Sequence, residues 1–368
     1  MLSSPVGVVT DLDGTVVFGG VADPRLAPFL RRAAGREDIS VIVATSRAPR
    51  GMTEVLGDAM ICLEGSVCLN GALLRLGDKE RRYPMRADHV RAVVDAAFRA
   101  GMPLYVDQGH SFTALAGHDP VAEPRSEEVS AAVSDFAASP GTTAEKENRR
   151  RGSQDSETEP GLWDGLEHMR DYPDGTWCTD PAQVPTEDVL KVTVVSRRYQ
   201  GRAGQDIIRQ RIADPLQGAS GTRAAGAQEA GGPEPADTLQ DLLGLRLDGV
   251  VAYPHEDGVV DVCAAGVDKS VCMRLLTGEE EPAALRGADT TERTAVMGQA
   301  PGLRHRPVST WVAVGNDAND VEMIRAADIG VIVGDGLEEV RARRQTVRVP
   351  SSPGAVVSIL EQLLELHH

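Results

Sequence analysis

No apolar run in the 368-residue chain approaches the roughly 18 residues that a membrane-spanning helix needs. No basic stretch leads into an apolar one near the first residue, so a signal peptide is not expected and a cytoplasmic location is. The five cysteines, at positions 62, 68, 178, 263 and 272, form no CxxC pair and are odd in number. That pattern points away from a disulfide framework and toward reduced thiols. Positive charge is in deficit as well: 38 Lys and Arg against 55 Asp and Glu leave a net charge of −17. That balance argues against nucleic acid as a partner, because backbone binding is driven by a positive surface. An anionic substrate would need local rescue by a cation, Lys or Arg inside its site. No internal repeat is found. What is present is 41% hydrophobic and 25% charged residues, enough for a sizeable core, and a length that implies about two domains.

The informative stretch is Val6-Gly7-Val8-Val9-Thr10-Asp11-Leu12-Asp13-Gly14-Thr15. Small and β-branched residues predict a strand buried on both faces, ending abruptly in two carboxylates, a glycine and a hydroxyl. In an open parallel sheet, ligands bind outside the carboxyl ends of the strands, so Asp11 and Asp13 are expected to emerge into a crevice. Two carboxylates one residue apart repel unless a cation lies between them, and hard oxygen ligands suit Mg²⁺. The competing reading is a plain loop with a turn-forming Asp-Gly step.

Asp11-Leu12-Asp13-Gly14-Thr15 resembles the first motif of the haloacid-dehalogenase superfamily, whose commonest members are Mg²⁺-dependent phosphatases with an aspartate nucleophile. Further along, Asp23-Pro24 reads as a helix start, with Leu26, Phe29, Leu30 and Ala33 at helical spacing and Gly35 closing the run. Ile39 to Ala44 follows as a second buried strand ending in Thr45-Ser46-Arg47. This is a βαβ unit with two polar strand ends on one edge. The resemblance places its second motif here, with Ser46 in place of the glycine of Thr-Gly-Arg; as a residue-level reading, Thr45 and Ser46 equally suit a helix cap. Ile61 to Leu74 is expected to continue the core through an Asn70-Gly71-Ala72 turn. That triplet resembles the Cof-type, sugar-phosphatase branch, which carries a large α/β cap between its second and third motifs.

The expected architecture is thus α/β: a Rossmann-like parallel-sheet core formed by residues 1–82 and 266–368, with an inserted α+β cap over 83–265. In the cap, Val90, Val93, Val94, Ala97 and Phe98 mark an amphipathic helix, and strands are expected at Pro103 to Val106 and Val189 to Val195. Helices are expected at 127–137 and around 207–212 and 239–243. A hairpin is read around Asp257-Gly258, between Val250 to Tyr253 and Val259 to Val262. Residues 138–161 and 217–236 are too poor in apolar side chains to fold and are expected to be disordered insertions, and 277–309 is long for a core connection.

Lys269 falls in the first turn expected of a helix over Val271, Met273, Leu275 and Leu276, where a lysine opposes the helix dipole. It matches the third motif, whose lysine neutralises nucleophile and phosphate. Trp311 to Val314 predicts a buried strand ending in Gly315-Asn316-Asp317-Ala318-Asn319-Asp320. This resembles the fourth motif, Gly-Asp-x-x-Asn-Asp, with Asn316 where most relatives carry the metal-binding Asp. An Asn carbonyl oxygen can bind Mg²⁺ but brings no charge, so the metal expectation spans Asp11, Asp13, Asn316, Asp317 and Asp320.

The resemblance implies hydrolysis of a small phosphorylated sugar, cyclitol or polyol by a monomer or homodimer with Mg²⁺. Asp11 would attack phosphorus and Asp13 would serve as acid and then base. Lys269, Thr45, Ser46, Asn319 and the Leu12 amide would surround the phosphoryl oxygens, with Arg47 lining the site. Two alternatives remain open at this level: a phosphomutase acting between sugar hydroxyls, and a non-catalytic phospholigand-binding protein.

Overall fold

Strand β1, Val6–Thr10, is buried along its whole length, as a run with no charged side chain allows. The computed structural model describes residues 5–77, 79–117, 166, 169, 172–200, 243, 245, 247–255, 257–277, 308–337 and 339–366. The helices expected at 127–137 and 207–212 and the insertions at 138–161 and 217–236 lie outside these, as does most of 239–243 and of 277–309. The described residues fall into two units, one holding 5–83 and 265–366 and the other 84–200 and 243–264.

In the first unit β1 is followed by a two-residue hairpin, β2 Val17–Phe18 and β3 Val21–Ala22, then helix α1, Leu26–Ala34, and β4, Ile39–Ala44. The face of α1 marked by helical spacing is the one buried: Leu26, Phe29, Leu30 and Ala33. Each of the large ones contributes about 1.5–3 kcal/mol by leaving water. The helix begins at Leu26, and Asp23 holds its entry by accepting a hydrogen bond from the Arg25 amide at 2.9 Å. After β4 come α2, Pro49–Leu56, β5, Gly65–Cys68, β6, Leu73–Leu76, and β7, Lys79–Arg82. Ile61 does not join the core: it is 79% exposed. It sits in a 3-10 stretch, Gly57–Cys62, whose three-residue period turns Ala59 inward and Ile61 outward.

The second unit opens with α3, Ala87–Arg99. Six strands follow: β8 Leu104–Asp107, β9 Phe112–Leu115, β10 Gly175–Cys178, β11 Lys191–Gln200, β12 Val250–Pro254 and β13 Asp257–Ala264. They make one mixed sheet in the order β10-β9-β8-β11-β13-β12. Side chains alternate across it. Leu104, Val106, Val192, Val194, Val260 and Val262 are all buried on one face, and α3 brings Val90, Val93, Val94 and Ala97 into the unit's core. The β12–β13 hairpin turns through Asp257-Gly258 as expected: beyond the last pair, Pro254 with Val260, the His255 amide donates to the Val259 carbonyl at 2.8 Å, and Gly258, with a φ of 87°, donates its N–H to the His255 carbonyl at 3.1 Å.

The chain then completes the first unit with α4 Val271–Thr277, β14 Thr310–Gly315, α5 Val321–Ala326, β15 Ile329–Val333, β16 Gln345–Val349 and α6 Ala355–Leu363. The sheet order is β16-β15-β14-β1-β4-β5-β6-β7, parallel from β16 to β5 and antiparallel beyond it. At its centre Gly7 lies opposite Trp311, and a Cβ there would stand 2.4 Å from the indole ring. Only glycine lets the two central strands pair with that ring between them. None of the five cysteines is in a disulfide. Among the described residues no helix is long and apolar enough to cross a membrane.

Candidate active site

Because β1, β4, β5 and β14 run parallel, the residues that follow them come out on the same edge of the sheet. Asp11 leaves β1 with its amide still bonded to the Val314 carbonyl of β14 at 2.9 Å, and Thr45 leaves β4 bonded to Val67 of β5 at 2.8 Å. Asp11 and Thr45 are buried, at 4% and 0% exposure, although polar. Buried polar groups at a strand end need partners.

Lys269 supplies the central one. It lies in a turn two residues before α4 rather than inside the helix. Asp268 shapes that turn, accepting from the Ser270 amide at 2.7 Å. The Lys269 side chain is 2% exposed and donates to Asp11 Oδ1 at 2.6 Å and Asp320 Oδ1 at 2.8 Å. Burial pushes the Asp11 carboxyl up to about 7, against the pull of Lys269 and with the charges of Asp320 and Asp13 adding to the rise. Burial also opposes the Lys269 charge, but Asp11 and Asp320 together outweigh it and hold its pKa above the usual lysine value. The lysine is a fixed cation and Asp11 is the group whose charge is in the balance.

Asp13, half-exposed, is gripped from both sides of its carboxylate: Arg47 Nε and Nη2 donate to it at 2.7 Å each. This fork geometry is the strong form of a carboxylate contact. Arg47 owes its place to Thr45, whose hydroxyl oxygen accepts from the Arg47 amide at 3.1 Å. Thr45 and Ser46 therefore do not cap α2, whose N-cap is Ala48. Leu12 is buried, and its carbonyl accepts from the amides of Thr15, Val16 and Val17, which curls the loop back under the site.

In the last cluster Asn316 Oδ1 accepts from the Thr15 hydroxyl at 2.8 Å. Gly14 makes room for this side chain: its φ is 76°, and a Cβ there would stand 2.5 Å from Asn316 Nδ2. The carboxylate of Asp317 accepts from the Ala318 amide at 2.7 Å and caps the turn Ala318–Asp320. Asp320, 0% exposed, accepts from the amides of Asn316 at 2.8 Å and Asp317 at 3.0 Å with the oxygen that Lys269 leaves free. Asn319 Nδ2 donates to Asn70 Oδ1 at 3.0 Å, while Asn319 Oδ1 is buried with no partner among the described residues.

Sequence reasoning saw Asn70 as a turn residue and did not see Thr15 as the partner of Asn316. Asn70 is fully buried, holds a φ of 56°, and donates its amide to the Thr45 carbonyl at 3.1 Å. An Asn-Gly pair inside an apolar run was the available signal, since Asn tolerates the left-handed region that few other residues adopt.

The oxygen donors suit a hard divalent cation: Asp11, Asn316 Oδ1 and the Asp13 loop lie at adjoining strand ends, with Thr15 orienting the Asn316 oxygen. The set is poor in charge, however. Among the described residues no three His, Cys, Asp or Glu side chains converge as a metal site.

A parallel α/β sheet with acids and a buried lysine at its strand ends sets ionisable groups where sheets of this class bind their ligands. The family model described as haloacid dehalogenase-like hydrolase matches residues 8–134 and 305–360. The chain belongs to that family and is a hydrolase. Solved structures share its fold. The subclass IIB sugar phosphatase BT4131 is 13% identical with a TM-score of 0.54, over 97% of this chain and 98% of that one. The phosphatase BT1666 from Bacteroides thetaiotaomicron is 15% identical, TM-score 0.53, over 97% and 94%. A haloacid dehalogenase-like hydrolase from B. subtilis is 13% identical, TM-score 0.53, over 97% and 99%. No curated protein matches the sequence.

Proposed function

We propose that the protein is a Mg²⁺-dependent phosphatase that hydrolyses a small phosphomonoester through a phosphoryl group carried on Asp11. The observation that carries the reading is the buried Lys269 held between Asp11 and Asp320 at the carboxyl edge of the sheet. A cation fixed beside a carboxylate at a strand end both orients a nucleophile and attracts a phosphoryl oxygen.

The chemistry follows from the side chains. The Asp11 carboxylate attacks phosphorus, and the bond from phosphorus to the ester oxygen breaks. Asp13 gives its proton to the departing alkoxide and then takes one from the water that cleaves the Asp11 acyl phosphate, so inorganic phosphate leaves and both carboxyls return to their starting state. Arg47 must release at least one of its two bonds before Asp13 can carry that proton. Lys269, the Thr45 hydroxyl and the strand-end amides stand where charge spreads over the phosphoryl oxygens. A divalent ion would be held by Asp11, the Asp13 main-chain oxygen and Asn316, and when bound would supply positive charge to those same oxygens. Asp317 is committed to its cap and Asp320 to Lys269 and two amides, so both support the site from outside the donor set.

A sugar, cyclitol or other polyol phosphate is the proposed substrate class, supported by the description of BT4131 as a sugar phosphatase. The test is release of inorganic phosphate from a panel of phosphorylated sugars, cyclitols and polyols, with and without Mg²⁺. The reading predicts metal-dependent release from members of this panel and none from Asp11→Asn. Failure of the whole panel and of an activated aryl phosphate would overturn it.

A further inference from the structure

The charged groups of the site are paired off against one another. Lys269 takes Asp11 and Asp320, and Arg47 takes both oxygens of Asp13. Asn316 offers a neutral oxygen already accepting from Thr15, and the neighbouring Asp317 carboxylate is turned to the amides of its own cap. A divalent cation entering alone would find one carboxylate, Asp11, whose charge Lys269 offsets from 2.6 Å away. It would also face two fixed cations, Lys269 and Arg47. An oxyanion entering alone would meet the carboxylates of Asp11, Asp13 and Asp320. Entering together, cation and anion cancel each other's penalty.

Asn319 leaves a further need unmet beside these groups: it is 7% exposed, and its Oδ1, an acceptor, has no partner among the described residues.

We infer that this site takes its divalent cation and its phosphate only as a pair: each binds poorly alone and each raises the affinity of the other by the same factor. The asymmetry is written in Asn316, which leaves to the incoming anion the charge that a carboxylate at this position would supply. The inference rests on the phosphatase reading for the kind of anion, and it concerns binding rather than turnover.

The experiment titrates the whole protein with Mn²⁺ as a paramagnetic probe, reading free metal by electron paramagnetic resonance, without and with saturating inorganic phosphate. Phosphate should lower the Mn²⁺ dissociation constant by at least tenfold, within the roughly 5- to 150-fold range usual for coupled sites. The converse titration, phosphate without and with Mn²⁺, should show the same factor. Asn316→Asp should bind Mn²⁺ more tightly without phosphate and reduce the coupling severalfold. A ratio below twofold in the wild-type protein would overturn the inference, as would an unchanged ratio in a folded Asn316→Asp. Should that variant fail to fold, the two wild-type titrations decide alone. Independent binding of the two ions would leave the phosphatase reading standing, whereas no phosphate binding under any condition would remove both.

Discussion

Each unit of this protein buries a lysine against carboxylates, and the two burials have opposite characters. In the second unit Lys191 and Thr193 project from the same face of β11, and Asp261 lies opposite Thr193 on β13. Asp261 takes Lys191 at 3.0 Å, Thr193 at 2.8 Å and His255 at 3.2 Å, and Tyr105 lies under the ammonium at 6.0 Å. Burial works to raise the Asp261 carboxyl, but Lys191 and His255 hold it well below the usual carboxylate range. In the first unit, by contrast, burial wins at Asp11 and its carboxyl rises to about 7. One carboxylate has every need met in the middle of a sheet. The other is under-served at a strand end, where one lysine is shared with Asp320. An acid held uncomfortably at the end of a strand is a candidate for chemistry, and one held comfortably between strands is architecture.

Breaking each side of this comparison should separate activity from stability. Asp11→Asn should lower phosphate release by a factor on the order of a thousand or more without lowering the urea midpoint at neutral pH, since it removes a carboxylate that burial disfavours. Asp261→Asn should do the reverse in kind, stranding a buried ammonium and costing about 3–5 kcal/mol in urea unfolding. A loss of activity without loss of stability in Asp261→Asn would reverse the assignment of roles.

The pH dependence of stability sharpens the same contrast, measured as melting temperature in chelator. The Asp11 pKa is higher folded than unfolded, where it sits near 3.8. Its contribution is therefore full below about pH 4 and is lost as pH rises through about 7. Asp261 is depressed on folding, so its contribution is present above the unfolded carboxylate value and disappears on acidification. Asp11→Asn should flatten the descending slope between pH 4 and 7, and Asp261→Asn should flatten the acid one. Equal slopes in both variants would show that the two carboxylates do not differ as described.

The smallest predicted effect falls on Arg47. Lysine cannot reproduce the fork on Asp13, so Arg47→Lys should reduce kcat/KM by about tenfold with the melting temperature little altered. An unchanged kcat/KM would place Arg47 outside the working site.

The sequence displayed the strand-end acids because a two-sided buried strand admits few charges, and Asp11 and Asp13 interrupt it conspicuously. The buried face of α1 and the strands flanking the site were legible from spacing for the same reason: burial imposes period. Hydrogen-bond assignments were not. Which of Asn316, Asp317 and Asp320 faces the site depends on a capping turn that fixes Asp317 by its neighbours' amides. The grip of Arg47 on Asp13 joins residues 34 apart in sequence, and the Thr15 bond to Asn316 spans 301. The Lys191–Asp261 pair was equally invisible, since strand pairing brings together residues 70 apart.

The most direct test of the account asks where the phosphoryl group goes. Asp13→Asn, whose first step can proceed with an aryl phosphate because that leaving group needs no proton, should accumulate a phosphorylated enzyme on rapid quench. Peptide mass analysis is predicted to place the phosphoryl group on Asp11, and the double variant Asp11→Asn with Asp13→Asn should carry none. A phosphoryl group found on any other residue would contradict the account.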